Sequence, residues 1–148
     1  MMKKRLFLLL IIPILSFAQN KINHFWNQSL WIIEPAINKH SKEFHLSIPQ
    51  KDQEIPNSPN IYYGQSLTFN HDGTFISTYR ADCGYDCFHY AEGTFKKIDK
   101  THIHLQLDFY SQRGPIKVCK TIEDKNHHDL GIFTLMQTPN GYALIKTE

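Results

Sequence analysis

Four short turns divide the chain between Ile61 and Val118 into five runs of alternating apolar and polar residues. The turns lie at 70–73, 84–86, 99–101 and 111–114 and are rich in Asn, Asp and Gly. This spacing predicts an antiparallel all-β meander. Because side chains alternate between the two faces of a sheet, a pairing error of one residue moves every side chain to the wrong face. The pairing can therefore be tested against the sequence.

One register keeps the apolar residues on a single face through all five strands. With three-residue loops at 71–73, 84–86 and 99–101, Phe69 faces Phe75. Phe75 then faces Phe95, which in turn faces Leu105. The other expected pairs are Leu67–Ser77, Ser77–Gly93, Tyr79–Ala91, Gly93–Leu107, Ala91–Phe109, Phe109–Ile116 and Leu107–Val118.

Four further strands are predicted outside this region. They lie near Trp31 and at 44–48, 130–137 and 142–146, which makes eight or nine strands in total. Part of 20–38 also has a helical period, so a short N-terminal helix is an alternative there. A polar stretch at 49–60 holds three prolines and is expected to be a surface loop. A sheet with one apolar face can bury that face by closing into a barrel. We therefore predict an eight-stranded, up-and-down barrel.

The first 18 residues have the layout of a secretory signal peptide. A basic start precedes an apolar run at 6–17, and the small residues Ser16 and Ala18 occupy the positions that signal peptidase recognises. A transmembrane anchor needs about 20 apolar residues, and Gln19 ends the run too early. We expect cleavage between Ala18 and Gln19. The remaining chain, 19–148, is then one domain that is secreted or periplasmic.

The charge balance gives no support for nucleic-acid binding. The chain has 16 Lys and Arg residues, 14 acidic residues and a formal charge of +2. Three of the basic residues and none of the acidic ones lie in the first 18 residues, so the predicted mature chain has 13 basic and 14 acidic residues, a charge of −1. This removes the basis for a general attraction to phosphate backbones. The composition, 41% hydrophobic and 20% charged, is that of a globular domain and excludes a disordered chain.

An early tryptophan and two sequence runs resemble the small secreted lipocalin-like (calycin) proteins of bacteria. The tryptophan is Trp31, and the runs are Leu-Thr-Phe-Asn-His-Asp-Gly-Thr-Phe at 67–75 and Glu-Gly-Thr-Phe-Lys at 92–96. The glycine that this family places two residues before the tryptophan is Ser29 here. The resemblance implies an up-and-down barrel that holds a small apolar ligand, and it does not identify that ligand.

All three cysteines follow the predicted signal and so enter an oxidising compartment. The register places Cys83 opposite Cys87 at a hairpin end, on one face, whereas Cys119 falls on the other face. We expect a Cys83–Cys87 disulfide and a leftover Cys119 thiol that could link a dimer. A bridge from Cys119 to either of the other two, or no bridge, is the alternative.

Two groups of side chains have the chemistry of metal ligands. Cys83, Cys87 and His89 lie at alternate positions, but their spacing differs from C-x-x-C and a fourth ligand is missing. His102 and His104 share an outward face, where polar residues are usual. We expect no metal or other cofactor at either place.

The sequence predicts a binding protein rather than an enzyme. It contains no nucleophile elbow, H-E-x-x-H, phosphate loop or dinucleotide fingerprint. The inward face mixes aromatic residues with small ones, which either leave room for one small ligand or pack a solid core. Tyr79 and His89 are candidate polar contacts for a ligand. The expected lining residues are Ser77, Tyr79, His89, Ala91, Gly93, Phe95, Leu107 and Phe109.

Three hypotheses for function follow. The first is a secreted or periplasmic lipocalin-like protein that binds a small apolar or amphipathic molecule. The second is a solid-core structural or protein-interaction module that acts through its surface or through the 49–60 loop. The third is a metal- or thiol-dependent enzyme, in which Cys119 is the candidate thiol.

Overall fold

Nine antiparallel strands form one sheet in the computed structural model, which describes residues 25–82, 85–115 and 117–147. Strand β5 pairs with both β4 and β6, and this closes a barrel of eight strands. The ninth, β7, pairs only with the end of β6. The predicted eight-stranded barrel is confirmed. The strands are β1 (Leu30–Glu34), β2 (Glu43–Ser47), β3 (Gly64–Phe69), β4 (Thr74–Arg80), β5 (Phe88–Lys97), β6 (His102–Arg113), β7 (Ile122–Asp124), β8 (His128–Thr138) and β9 (Gly141–Lys146).

The first two strands enter the barrel in an order that differs from a simple meander. Strand β1 lies between β2 and β3, and β2 pairs with β9. In an up-and-down order β2 would pair with β3 instead. The expected loop at 49–60 is present, with a short 3₁₀ turn at Lys51–Gln53, and it carries the chain from β2 past β1 to β3.

The antiparallel pairing gives the barrel two unlike ends. The turns β3–β4, β5–β6 and β8–β9 share one end with residues 25–27, which are helical. There the ring of Phe25 stacks on Trp31 at 4.9 Å and contacts Tyr142 edge-on at 5.2 Å. We call this the closed end. The open end carries the β1–β2 connection at 35–42, the β4–β5 connection and the segment between β6 and β7.

Buried side chains follow the predicted alternation. In β4, Phe75 and Ser77 are buried and Ile76 between them is exposed. The largest fully buried residues, Trp31, Phe25, Phe44, Phe75 and Phe133, come from different parts of the chain and meet inside the barrel. Area removed from water stabilises such a core at roughly 25 cal/mol per Å².

The predicted register is confirmed for the β3–β4 hairpin and for the β5–β6 hairpin as far as Gly93, and it is wrong for the β4–β5 hairpin between them. Phe69 faces Phe75, and Phe95 faces Leu105, as expected. Phe75, however, faces Gly93 instead of Phe95, a shift of two residues. A Cβ on Gly93 would lie 2.9 Å from the Phe75 ring, so the missing side chain makes room for that ring. A shift of two keeps every residue on its face, and apolar alternation cannot detect it.

A bulge in β6 changes which residues face the interior. Gly93 pairs with Leu107 and Glu92 with Phe109, which leaves Asp108 unpaired between them. Tyr110, which follows Phe109, pairs with Ala91 and packs against the core. The expected Ala91–Phe109 pair is therefore wrong, because a bulge adds one residue and reverses the alternation after it.

The turn and strand predicted after Phe109 are also wrong. Strand β6 continues to Arg113, and Leu107 pairs with His128 of β8 rather than with Val118. Val118 lies in an irregular segment and is 63% exposed. Its expected neighbour in that strand, Ile116, lies outside the described residues.

A disulfide joins Cys87 to Cys119, with 5.6 Å between the Cα atoms. The expected Cys83–Cys87 bridge is wrong, and the alternative that involves Cys119 is the one formed. Because Cys119 is buried and paired within the chain, it offers no free thiol for a dimer. Cys83, like the predicted signal peptide at 1–18, lies outside the described residues.

Candidate functional site

A cleft of about 590 Å³ lies at the open end, between the β1–β2 connection and the segment at 120–124. Its inner wall is formed by Leu107 and Tyr110 of β6. Leu107 is buried in the barrel core, so the cleft reaches the edge of that core. Its volume falls within the range of about 300–1,000 Å³ that is common for small-molecule sites. The remaining walls are formed by Asn38, Lys39, His40 and 120–124.

An ion pair crosses the rim of this cleft. Lys39 Nζ lies 3.2 Å from Asp124 Oδ2 and so links the β1–β2 connection to β7. Asp124 also accepts hydrogen bonds from the Asn126 backbone N–H and from His128 Nε2. The Asn126 hydrogen bond, followed by those from Lys39 and His128, holds the pKa of Asp124 well below its usual value. The rim carboxylate therefore stays ionised.

Behind the cleft wall, three side chains form a chain of hydrogen bonds. His89 Nδ1 lies 3.0 Å from the Tyr110 hydroxyl, which donates to Gln112 Oε1 at 3.2 Å. Gln112 Nε2 in turn donates to the Lys120 carbonyl at 3.1 Å. The chain thus connects β5, β6 and the segment that follows β6. Tyr110 belongs both to this chain and to the cleft wall.

Burial sets the charge state of the two ionisable groups in this chain. It lowers the pKa of His89 below 6.5, and the imidazole is therefore neutral at pH 7. Burial raises the pKa of Tyr110, whose phenol stays protonated. The interior polar groups at the open end are thus uncharged hydrogen-bonding groups.

A second polar contact lies deeper in the barrel, between β3 and β4. Gln65 Nε2 donates to Ser77 Oγ at 2.7 Å, and both residues are buried, Ser77 completely. The other amide atom, Gln65 Oε1, is buried without a hydrogen-bond partner. Among the described residues, Trp31 Nε1 is the other buried side-chain polar atom without one. Unpaired buried acceptors are rare and are candidates for contact with water or a ligand.

The strand order brings these polar groups to the same end of the barrel. Gln65 pairs with Tyr79, and Ser77 pairs with Ala91 on neighbouring β5. Tyr79 donates a hydrogen bond to Asp86 at 3.0 Å, just beyond the end of β4. Strands β3, β4 and β5 thus contribute adjacent polar residues to the open end, whereas the closed end is apolar and aromatic.

The structure places the predicted lining residues in four groups. Leu107 lines the cleft. Tyr79 and His89 lie at the open end, and Ser77, Ala91 and Gly93 are buried in the middle of the barrel. The other two, Phe95 and Phe109, lie away from the open-end interior.

Those last two residues are displaced for different reasons. Phe95 packs against Phe69 at 4.9 Å near the closed end. The expectation that Phe109 faces the interior is wrong, because the bulge turns it outward beside Tyr90, 5.8 Å away.

Sequence reasoning missed Tyr110, Gln112 and Gln65. The first two were hidden by the bulge at Asp108, which has no signature in the alternation. Gln65 carried a usable signal, since it lies two residues before Leu67 on the face that Leu67 assigns to the core. A polar residue on an apolar face is the pattern that indicates a buried hydrogen bond or a ligand contact.

The candidate metal ligands pair with other groups. His102 contacts Asp99 at 2.9 Å, and His104 contacts Asp129 at 2.7 Å. Within the described residues, no group of three or more His, Cys, Asp or Glu side chains is placed to hold a metal ion. Because Cys87 and Cys119 form a disulfide, the Cys83–Cys87–His89 set lacks one ligand and Cys119 is not a free catalytic thiol.

No helix in the described part of the chain has the length and apolar character needed to cross a membrane. Comparison with known protein families, with curated proteins and with solved structures finds no match to this chain.

Proposed function

We propose that this protein is an exported, lipocalin-like binding protein without enzymatic activity. It takes a small amphipathic molecule into the cleft at the open end of the barrel. The observation that carries the proposal is the cleft itself, because its inner wall joins an apolar side chain, Leu107, to a polar one, Tyr110. That combination is typical of small-molecule sites.

Packing of the barrel interior restricts the ligand to the half of the barrel nearest the open end. The ring of Phe75 fills the space that Gly93 leaves free, and Leu105 and Leu107 are buried beside them. A long acyl chain has no path to the closed end through this layer. The occupant is therefore a short molecule whose apolar part contacts Leu107 and Ile122.

Export is supported by the disulfide and by the layout of the first 18 residues. A bridge such as Cys87–Cys119 persists in oxidising compartments and is rare in the cytosol. Expression of the full chain in a bacterial host, followed by N-terminal sequencing of the exported protein, tests this step. A mature chain that begins at Gln19 supports export, and retention of Met1 contradicts it.

Binding is tested by native mass spectrometry and by melting temperature across a panel of octyl and isoprenoid compounds. Thr121→Trp places a large side chain in the cleft from an exposed position. We expect this variant to lose the rise in melting temperature given by a bound compound. Lys125→Trp, which is exposed and outside the cleft, is the matched control and should keep it. Equal responses in the two variants would remove the cleft as the site.

A solid-core interaction module is the second candidate function. The Phe75 ring fills the space beside Gly93, which favours a solid core. The small residue there makes room for packing and does not leave a cavity. If no compound in the panel is retained or raises the melting temperature, this second function is the one supported.

A further inference from the structure

The hydrogen bonds behind the cleft determine which atoms there can donate and which can only accept. The starting point is the Lys120 carbonyl, which has no proton. The Gln112 atom 3.1 Å from it must therefore be the NH₂ group. This assignment turns the other amide atom, Gln112 Oε1, towards the Tyr110 hydroxyl.

The direction of the next two hydrogen bonds follows. An amide oxygen only accepts, so Tyr110 donates its single proton to Gln112 Oε1. The Tyr110 oxygen then has only lone pairs left, and His89 Nδ1, 3.0 Å away, must carry the proton between them. In a neutral imidazole with a protonated Nδ1, Nε2 is a bare acceptor.

Gln65, deeper in the barrel, also offers a hydrogen-bond acceptor. Its NH₂ group is engaged by Ser77 Oγ, and its buried Oε1 has no partner. Three polar atoms at the open end, on Tyr110, His89 and Gln65, can thus accept a hydrogen bond and cannot donate one. The other unpaired buried atom, Trp31 Nε1, lies under the aromatic rings of the closed end.

The cations at the rim do not reverse this preference. Lys39 is already paired with Asp124. Lys120 is exposed to water, and attraction between solvated charges contributes little. A carboxylate in the cleft would meet lone pairs on the inner wall and hydrated cations outside.

We infer that the polar group of the ligand is a neutral hydrogen-bond donor, such as a hydroxyl or an amide N–H, and not a carboxylate. This inference rests on the proposed function. The donor proton reaches the Tyr110 oxygen, since Tyr110 lines the cleft, and the apolar part of the ligand contacts Leu107.

Three compounds of similar chain length test the inference by calorimetry on the purified full-length protein: 1-octanol, octanoate and methyl octanoate. Only the alcohol donates a hydrogen bond, and the ester separates the loss of a donor from the gain of a charge. We expect octanol to bind about tenfold more tightly than either of the others, the effect of one hydrogen bond. Octanoate or methyl octanoate binding as tightly as octanol overturns the inference and leaves the proposed function intact. If none of the three binds while an isoprenoid compound of the panel does, the inference alone fails. If no compound of the panel binds, the proposed function fails with it.

Tyr110→Phe removes the group that fixes the His89 proton on Nδ1. We expect this variant to bind octanol roughly tenfold more weakly, because the Tyr110 acceptor on the inner wall of the cleft is lost. Tyr90→Phe is the matched control, since Tyr90 lies on the outer face of the neighbouring strand β5 and bonds Glu92. Unchanged octanol binding in Tyr110→Phe would overturn the inference.

A spectroscopic measurement on the wild-type protein covers the case in which Tyr110→Phe does not fold. Nitrogen-15 NMR of the imidazole distinguishes a protonated ring nitrogen from a bare one. We expect His89 to show a protonated Nδ1 and a bare Nε2. The opposite assignment contradicts the inference.

Discussion

Cys87 and Cys119 tie the start of β5 to the segment between β6 and β7. Gly114 lies directly against this disulfide, since a Cβ there would approach Cys119 Sγ to 2.6 Å and the Asp86 carbonyl oxygen to 2.7 Å. The bridge thus holds two connections of the open end together, and one of them leads into the 120–124 wall of the cleft. The disulfide therefore stabilises the part of the molecule that we propose binds ligand.

Loss of this bridge should destabilise the fold measurably. The two cysteines are 32 residues apart, for which the chain-entropy relation gives about 3–4 kcal/mol. We expect a Cys87→Ser, Cys119→Ser double variant to lose that much free energy of unfolding in urea titration. Peptide mapping without reduction should show the Cys87–Cys119 pair in the wild type. A pair that contains Cys83 would contradict the structure.

Gly93→Ala should be poorly tolerated. A Cβ at this position overlaps the backbone carbonyl oxygen of Gln106 and lies 2.9 Å from the Phe75 ring. Overpacking of this kind costs about 1–3 kcal/mol, and the backbone contact places the cost at the upper end. Thr94→Ala, on the outer face of the same strand, is the control and should change stability little. Equal unfolding midpoints for the two variants would show that Phe75 and Gly93 do not face each other.

The turn between β5 and β6 should show a pH-dependent contribution to stability. The Thr101 backbone N–H, followed by His102, lowers the pKa of Asp99 from 3.8 to about 2. A carboxyl group whose pKa is lowered by folding stabilises the fold at pH values above its unfolded-state pKa. That contribution disappears as the pH falls towards 2.

We therefore expect Asp99→Asn to lower the melting temperature at neutral pH. The difference from the wild type should shrink as the pH is lowered from 3.8 towards 2. Asp52→Asn, at an exposed acidic residue of the 3₁₀ turn, is the control. A difference that stays constant through this pH range would exclude the turn hydrogen bonds as its origin.

Octanol binding should weaken on the acid side of pH 6.5. Protonation of His89 puts a positive charge on the group that donates to Tyr110, which makes the Tyr110 oxygen a weaker acceptor. Burial places the pKa of His89 below 6.5. The groups that the structure places beside His89 are Tyr110 and Gln112, both from β6. Because the folded-state pKa is lowered, the unfolded chain takes up the proton first, and stability also falls as the pH drops through 6.5.

Calorimetric titration of octanol at several pH values across 6.5 checks this expectation. His89→Gln keeps a polar side chain without a titrating group and should flatten the pH profile. His71→Gln, at an exposed histidine of the β3–β4 turn at the closed end, should leave the profile unchanged. A wild-type profile that is already flat would exclude an effect of His89, acting through Tyr110, on alcohol binding.

Alternation of apolar and polar residues identified the strands and, for most of them, the inward face. Phe69, Phe75, Phe95 and Leu105 all lie on the predicted apolar side. Alternation does not reveal two structural features, a register shift of two residues and a bulge. A shift of two residues, such as the one that sets Phe75 against Gly93, preserves the faces. A bulge such as the one at Asp108 reverses them without changing composition.

What the sequence determines by itself is the set of local preferences: where most of the strands lie, which face of a strand is apolar where no bulge interrupts it, and that one sheet must cover its own apolar side. Those properties depend on neighbouring residues alone. Tertiary structure decided which strands pair, that β1 lies beside β3, and that Cys87 bonds Cys119 across 32 residues. It also decided that Tyr110 meets His89. Each of these depends on the distance between groups far apart in the chain, and packing of the whole barrel sets that distance.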